Sequence, residues 1–216
     1  MTALDALSPD LFEDRKVLVT GAGRGIGRAV AAAFATLGAH VLAHLGTTER
    51  GGAADVFPEL SDGARGRISM MTADLATIAG AEAVIAAIVA ELGGLDILVN
   101  NAGTMHGRVM ASDMTAEHYA RVVDLNARSV ALITSGAIQH LARSDAAAIV
   151  NTSSISATTG GSPGSSLYSA AKAFVSTYTR SMARELAPLG IRVNAVSPGT
   201  IMTDFHRRYS TPEKLE

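Results

Sequence analysis

Residues 16–30 read KVLVTGAGRGIGRAV, a passage in which the character of the chain changes twice. KVLVT (16–20) is a β-branched, apolar run of strand length. Gly21, Gly25 and Gly27 follow at a GxxxGxG spacing, and RAVAAAFATLG (28–38) has the spacing of a helix closed by Gly38. That order sets unpaired backbone N–H groups and the positive end of a helix dipole just beyond a strand, where a phosphate binds well. In this reading Gly21 permits the tight turn, Gly25 the close approach of a pyrophosphate, and Gly27 close packing of helix on sheet. Glycine is common here, with 21 residues, so the spacing gains its weight from its place after a strand. The alternative is a plain glycine-rich turn between strand and helix.

The alternation continues outward from this point. AHVLAHL (39–45), RISMMT (67–72), LDILVN (95–100), AAAIVNTS (146–153) and IRVNAVS (191–197) are further strands, nearly continuous in apolar residues. Between them lie helical segments: AEAVIAAIVAELGG, ending at Gly94, a long helix over 115–142 and another over 167–187. Strands apolar on both faces and separated by helices predict a parallel sheet. Right-handed crossovers then give a doubly wound, Rossmann-like α/β/α sandwich, read as a single domain over 1–216. Ligands of such sheets bind beyond the carboxyl ends of the strands, so the residues of interest are those that follow strands.

Composition narrows the partners. A net charge of −2, with the arginines scattered rather than clustered, gives no footprint for nucleic acid or an anionic membrane. The longest apolar stretches are broken by charge before membrane-spanning length. The N-terminus, MTALDALSPDLFEDRK, carries acids and does not read as a signal peptide. With no cysteine, disulfides and thiolate metal sites are excluded, which suits a reducing cytoplasm. The six histidines fall in no metal-ligand spacing; His44 and His140 read as structural or surface residues, and no metal is expected.

SLYSAAKAF (166–174) pairs Lys172, one of three lysines, with Tyr168, one of four tyrosines, four positions earlier. On a helix these two share a face. A tyrosine ordinarily titrates near pH 10, and a nearby ammonium favours the phenolate, which suits proton transfer. The alternative is a solvated helix face with an extended lysine.

TGAGRGIG, NNAG (100–103), Asn126, NTSS (151–154), YSAAK (168–172) and SPG (197–199) occur together in order. In this the chain resembles the short-chain dehydrogenase/reductase family over about residues 14–205. The resemblance implies an oxidoreductase that interconverts a ketone and a secondary alcohol by hydride transfer with NADP or NAD. It implies that Tyr168 is the proton donor and acceptor, that Lys172 tunes Tyr168 and holds the nicotinamide ribose, and that the nicotinamide's pro-S hydride is used. Ser154 polarises the carbonyl, with Ser153 and Ser156 as alternatives because the serine-to-tyrosine interval is one residue longer than in many relatives. Asn126 holds a water that links Lys172 to solvent. The cofactor lies along Gly21, Arg24, Gly25, Ile26 and Gly27, then Asp74 and Leu75 at the adenine, and Asn101, Ala102 and Gly103 after the fourth strand. In SPGTIMTDF, Pro198 and Gly199 shape a closing loop, with Ile201 near the carboxamide and Thr203 near the phosphate.

NAD-preferring relatives end strand 2 in an acid, whereas here Leu45 and Gly46 occupy that place. Thr47 and Thr48 offer hydrogen bonds and Arg24 a positive charge, so NADP is expected, with NAD the alternative. Overall character is closest to 3-oxoacyl-[acyl-carrier-protein] reductases. Sugar, polyol or steroid dehydrogenases of the same family, and a catalytically silent dinucleotide-sensing regulator, are the alternatives. Where bacterial reductases carry arginines for carrier-protein docking, this chain has Leu189 and Leu132, with Arg128 one turn away. The expected substrate is therefore a small carbonyl or alcohol, carrier-linked or free. GGSPGSS suggests a mobile loop near it. The resemblance also implies a two-fold helical interface giving a homodimer or homotetramer, and a helical lobe and last strand that are absent from this chain.

Overall fold

The structure, a computed structural model, describes residues 3–209. Six strands form one parallel sheet in the order β3-β2-β1-β4-β5-β6: β1 (Lys16–Thr20), β2 (His40–His44), β3 (Ile68–Met71), β4 (Ile97–Asn100), β5 (Ala148–Thr152) and β6 (Arg192–Val196). The order reverses between β1 and β4, which opens a crevice beyond their carboxyl ends.

The continuous apolar character of the strands is explained by burial on both faces. Val17 and Val19 of β1 point into one core while Leu18 between them points into the other, and all three are fully buried. The first core is closed by α1 (Gly25–Thr36) and, after β2, by the short helices α2 (Ala53–Val56) and α3 (Asp62–Arg65). Ala31, Ala32 and Ala35 keep α1 close to the strands, and Phe57 fills the gap beyond them. The second core lies under α4 (Ile78–Ala87) and α6 (Ser129–Leu141), the latter continuing α5 (Ala116–Val123), and Leu18, Leu42, Val84, Ile88, Ile133 and Leu141 meet there. Burying each such side chain contributes about 1.5–3 kcal/mol.

Two helices are longer in sequence than any one regular element. α4 runs on as a single π turn over Ile88–Leu92, and α5 and α6 are one continuous rod joined by a π turn over Asp124–Arg128. A π turn inserts one extra residue and redirects the side chains around it. Asn126 sits inside the second, fully buried. The remaining helices are α7 (Ser156–Thr159), α8 (Ser166–Glu185) and α9 (Asp204–Tyr209). β6 is an edge strand with Arg192, Asn194, Ala195 and Val196 exposed. HRRYSTPEKLE (206–216) reads in sequence as the start of a further lobe; its first residues belong to α9, and 210–216 lie outside the described residues.

Candidate active site

At the carboxyl ends of β1, β4 and β5 lies a cavity of about 940 Å³, at the upper end of the range for small-molecule sites. Every residue assigned to the site from sequence lines it except Asn126, which is buried behind it.

The glycine turn forms the floor. Gly21 has φ 69°, and a side chain there would meet the Ala102 backbone at 2.8 Å. At Gly27 a Cβ would sit 2.3 Å from both the Gly21 carbonyl oxygen and Asn101 Nδ2, so α1 leaves the strand as tightly as the sequence predicts. Gly25 has φ 56° and faces Thr203 of the closing loop. α1 begins at an extended Arg24 with no side-chain cap, leaving the first-turn amides of Gly25, Ile26 and Gly27 directed at the cavity region. The Asn101 side chain is spent on scaffolding: its Nδ2 donates to the carbonyls of Thr20 and Gly21, while Thr20 Oγ1 accepts from the amides of Asn101 and Ala102.

One end of the cavity holds Leu45, Gly46, Thr47 and Thr48 after β2, with Asp74 and Leu75 after β3. Leu45 is buried, and no acid stands there. Thr47 does not cap a helix, because α2 starts later, at Ala53, with Gly52 as its N-cap. Arg50 was not singled out from sequence. Its side chain lies against Gly23, with Nε 2.9 Å from where a Cβ would stand, so Arg24 and Arg50 both line this end. An arginine shortly after strand 2 was the available signal.

The other end holds the polar trio. Along α8, Tyr168, Lys172, Val175 and Thr179 recur at three- and four-residue spacing on the face turned to the sheet. Lys172 Nζ is 5.8 Å from the Tyr168 ring centre and donates to the Thr152 carbonyl at 2.8 Å. Tyr168 and Ser154 line the same part of the cavity, where the Ser154 hydroxyl pulls the phenol's pKa down. The neighbouring serines have other partners or positions: Ser153 is turned back to the Lys172 carbonyl (3.0 Å) and Ser176 (2.7 Å), and the Ser156 amide donates to Ser154 Oγ. Asn126 Nδ2 donates to the carbonyls of Thr104 and Val122, both at 2.8 Å, while its Oδ1 is buried without a protein partner. A Cβ on Gly103 would meet that Oδ1 at 2.5 Å and Lys172 Nζ at 3.1 Å, so Gly103 is the thin wall where the orphan acceptor and the ammonium converge.

One expectation is corrected. Burial pushes the Tyr168 phenol up, against a smaller downward pull from the Ser154 hydrogen bond, rather than lowering it. The Lys172 ammonium, which donates to the Thr152 carbonyl, is not among the groups that lower it; burial pushes that ammonium in turn down to about 8.

Pro198, Gly199, Ile201 and Thr203 continue from β6 along the cavity, and the Pro198 carbonyl accepts from the Ile155 amide. α9 then lays Phe205 against Tyr168, ring centres 5.5 Å apart, and brings the Tyr209 hydroxyl to Thr104 at 3.1 Å. Arg108, also unforeseen, joins the Tyr209 and Pro163 carbonyls. The GGSPGSS loop, read from sequence as mobile, is tied down: the Val109 amide donates to Gly164, Ser165 to Ser162 and Ser169 to Gly160.

A phosphate cradle without side chains, an uncapped helix N-terminus and an orphan acceptor beside a buried ammonium fit a nicotinamide dinucleotide. The comparisons agree. The family described as short chain dehydrogenase matches residues 15–214. A 3-oxoacyl-[acyl-carrier-protein] reductase of Vibrio cholerae is 36% identical over 204 residues, 94% of this chain and 80% of that protein. A solved 3-ketoacyl-(acyl-carrier-protein) reductase from Brucella melitensis, complexed with NADH, superposes with a TM-score of 0.82 at 32% identity, covering 92% of this chain and 81% of that one. A short chain dehydrogenase from Burkholderia cenocepacia, in complex with NADP, does so with a TM-score of 0.79 at 34% identity, covering 90% and 77%. A glycine cradle joined in one cavity to a Ser154–Tyr168–Lys172 cluster, on this sheet order and with these relatives, makes the chain a member of the short chain dehydrogenase family of NAD(P)-binding oxidoreductases.

Proposed function

We propose that this protein is an NADPH-dependent ketoreductase whose substrate is a 3-oxoacyl thioester. The observation that carries the reading is the convergence of Ser154, Tyr168 and Lys172 in the cavity that the glycine turn floors. The nicotinamide, when bound, supplies or accepts the hydride. Ser154 and Tyr168 act on the substrate oxygen, Ser154 polarising it and Tyr168 delivering the proton as the alcohol forms. Lys172 holds the nicotinamide ribose and, through the water site at Asn126 Oδ1, replenishes the Tyr168 proton. Burial raises the phenol, so Tyr168 keeps its proton at neutral pH, the form a proton donor needs for reduction; the positive charge of an oxidised nicotinamide would favour the phenolate needed for the reverse.

NADP rather than NAD is supported by the acid-free end of β2 and by the two arginines beside it, Arg24 and Arg50. The 3-oxoacyl class is supported by the names of the relatives. A carrier protein is less well served: Arg128 is engaged with Asp124 at 3.1 Å and with the Ala76 carbonyl, and Leu189 is exposed where a docking arginine stands in relatives. A homodimer through α5–α6 and α8 is supported by exposed Tyr119 and Phe174, the latter stacked on Tyr178. No helix among the described residues is long and apolar enough to cross a membrane; together with the absence of cysteine this supports a cytoplasmic reading.

The test is NADPH and NADH consumption at 340 nm with acetoacetyl-CoA, the carrier-linked equivalent, sugars and steroids. Oxidation of NADPH with the thioester, at least tenfold faster than NADH, is the expected result. Arg50→Ala should weaken NADPH binding about tenfold and leave NADH binding unchanged, because only the 2′-phosphate reaches that side chain. Turnover confined to sugars or steroids would replace the substrate class, and preference for NADH would overturn the reading of Arg24 and Arg50.

A further inference from the structure

His44 is the last residue of β2, paired in register with Thr20 of β1 and Met71 of β3, and it is 2% exposed. Its ring joins the tips of three strands. Nδ1 accepts from the Gly21 amide at 3.2 Å, and Nε2 lies 2.9 Å from the Ala73 carbonyl. A carbonyl only accepts, so Nε2 carries the proton, Nδ1 is bare and the imidazole is neutral. The His44 carbonyl in addition accepts from the Ala22 amide at 2.7 Å. Both of the first two amides of the glycine turn are thus consumed by His44, and the amides that remain for a phosphate are those further round, from Gly23 into α1.

We propose that His44 is a positioning residue for the dinucleotide, fixing the pyrophosphate turn and the adenine wall at Ala73–Leu75 relative to each other, and that this latch opens in acid. The inference rests on the nucleotide-binding reading of the cavity. It deepens that reading by assigning His44 to cofactor affinity rather than to the chemistry. A second proton would turn Nδ1 into a donor pointing at another donor, the Gly21 N–H, so the turn has to leave its place or the ring has to leave its own. Gly21 is poorly able to adjust, with its φ of 69° and the Ala102 backbone against it.

The surroundings agree with a ring held neutral. Burial pushes the His44 pKa down, which the hydrogen bond to Ala73 and the Asp74 carboxylate only partly oppose. From β1 and β3 the facing residues, Thr20 and Met71, are uncharged. Arg24 in the glycine turn and Glu49 and Arg50 after β2 are the charged groups on the adjoining loops, and Asp74 is the one that acts on the ring. The sign follows: the ring is neutral throughout the neutral range, and affinity for nucleotide falls only as pH drops below the ordinary histidine range.

NADPH fluorescence titration of the whole protein between about pH 8 and about pH 5 tests this, with thermal melting at each pH and kcat at saturating cofactor. His44→Asn keeps an acceptor near the Nδ1 position and cannot be protonated; His44→Leu removes it. Wild-type Kd should rise at least tenfold toward the acid end. His44→Asn should bind within about threefold of wild type at pH 8 and lose most of that pH dependence, which corrects for titration of the 2′-phosphate in both proteins. His44→Leu, wherever it melts cooperatively, should bind at least tenfold more weakly at pH 8 with kcat changed less than threefold. Equal pH profiles in wild type and His44→Asn overturn the inference even if His44→Leu does not fold, as does a folded His44→Leu with unchanged Kd. A wild type that binds neither nucleotide at any pH sinks the cavity reading as well, which separates the two failures.

Discussion

Lys172 is a lysine 3% exposed whose sole protein hydrogen bond among the described residues is to the Thr152 carbonyl. A cation so enclosed is a cost to the fold, and the proposed function gives it a reason, to hold the nucleotide ribose and serve Tyr168. Native burial lowers its pKa to about 8 while the unfolded chain keeps it near the ordinary value, so between those pH values the unfolded state binds more protons. Stability should therefore rise with pH from about 8 to about 10.4, where the penalty has been relieved. Lys172→Met is expected to stabilise the cofactor-free protein by on the order of 1–3 kcal/mol at pH 7, the gain shrinking toward pH 10, while turnover is lost. Urea unfolding of both proteins across that range measures it, and a destabilised variant at pH 7 would contradict the account. The four-residue interval between Tyr168 and Lys172 made this pair legible in the sequence. The phenol's own pKa was not legible, because it depends on burial and on which way Nζ turns.

At the scale of elements, the glycine turn carries the most information per residue. Alanine is ordinarily better than glycine in a helix by about 1 kcal/mol. At Gly27, however, a Cβ would stand 2.3 Å from the Gly21 backbone oxygen, which cannot swing away as a side chain tip can. Overpacking of about 1–3 kcal/mol then outweighs propensity. Gly27→Ala should lower thermal stability and weaken dinucleotide binding at least tenfold; a variant that melts higher and binds normally would refute the close-packing role. The spacing GxxxGxG and its place after a strand announced this element. Other parts of the site had no such signature. His44 reads in sequence as one more polar residue ending a strand, and only the meeting of β1, β2 and β3 gives it two partners. Arg50 is brought against the glycine turn by the loop after β2, whose path no local pattern specifies. The sequence could not separate Ser154 from Ser153 and Ser156, because only the fold turns Ser153 to the Lys172 carbonyl and Ser176 and leaves the Ser154 hydroxyl to act on Tyr168.

Across the whole molecule, six apolar runs predicted six parallel strands, and the observed order, with its reversal between β1 and β4, explains why NNAG packs against the glycine turn and NTSS lines the same cavity, although roughly 80 and 130 residues separate them from that turn in the chain. The π turn that carries Asn126 was invisible in a sequence that reads as one long helix. Tyr119, Phe174 and Tyr178 leave an aromatic surface on α5 and α8, and sedimentation equilibrium should return a dimer or a multiple of it; Phe174→Asp should shift that equilibrium toward monomer. A monomer in the unmodified protein would remove the two-fold reading of those helices. The central claim, that one cavity holds the nucleotide and reduces a ketone through Tyr168, is tested most directly by Tyr168→Phe. The account predicts NADPH binding within about threefold of wild type and turnover of acetoacetyl-CoA lower by about a thousandfold, within the range expected for losing a positioned general acid. Turnover within tenfold of wild type would contradict it.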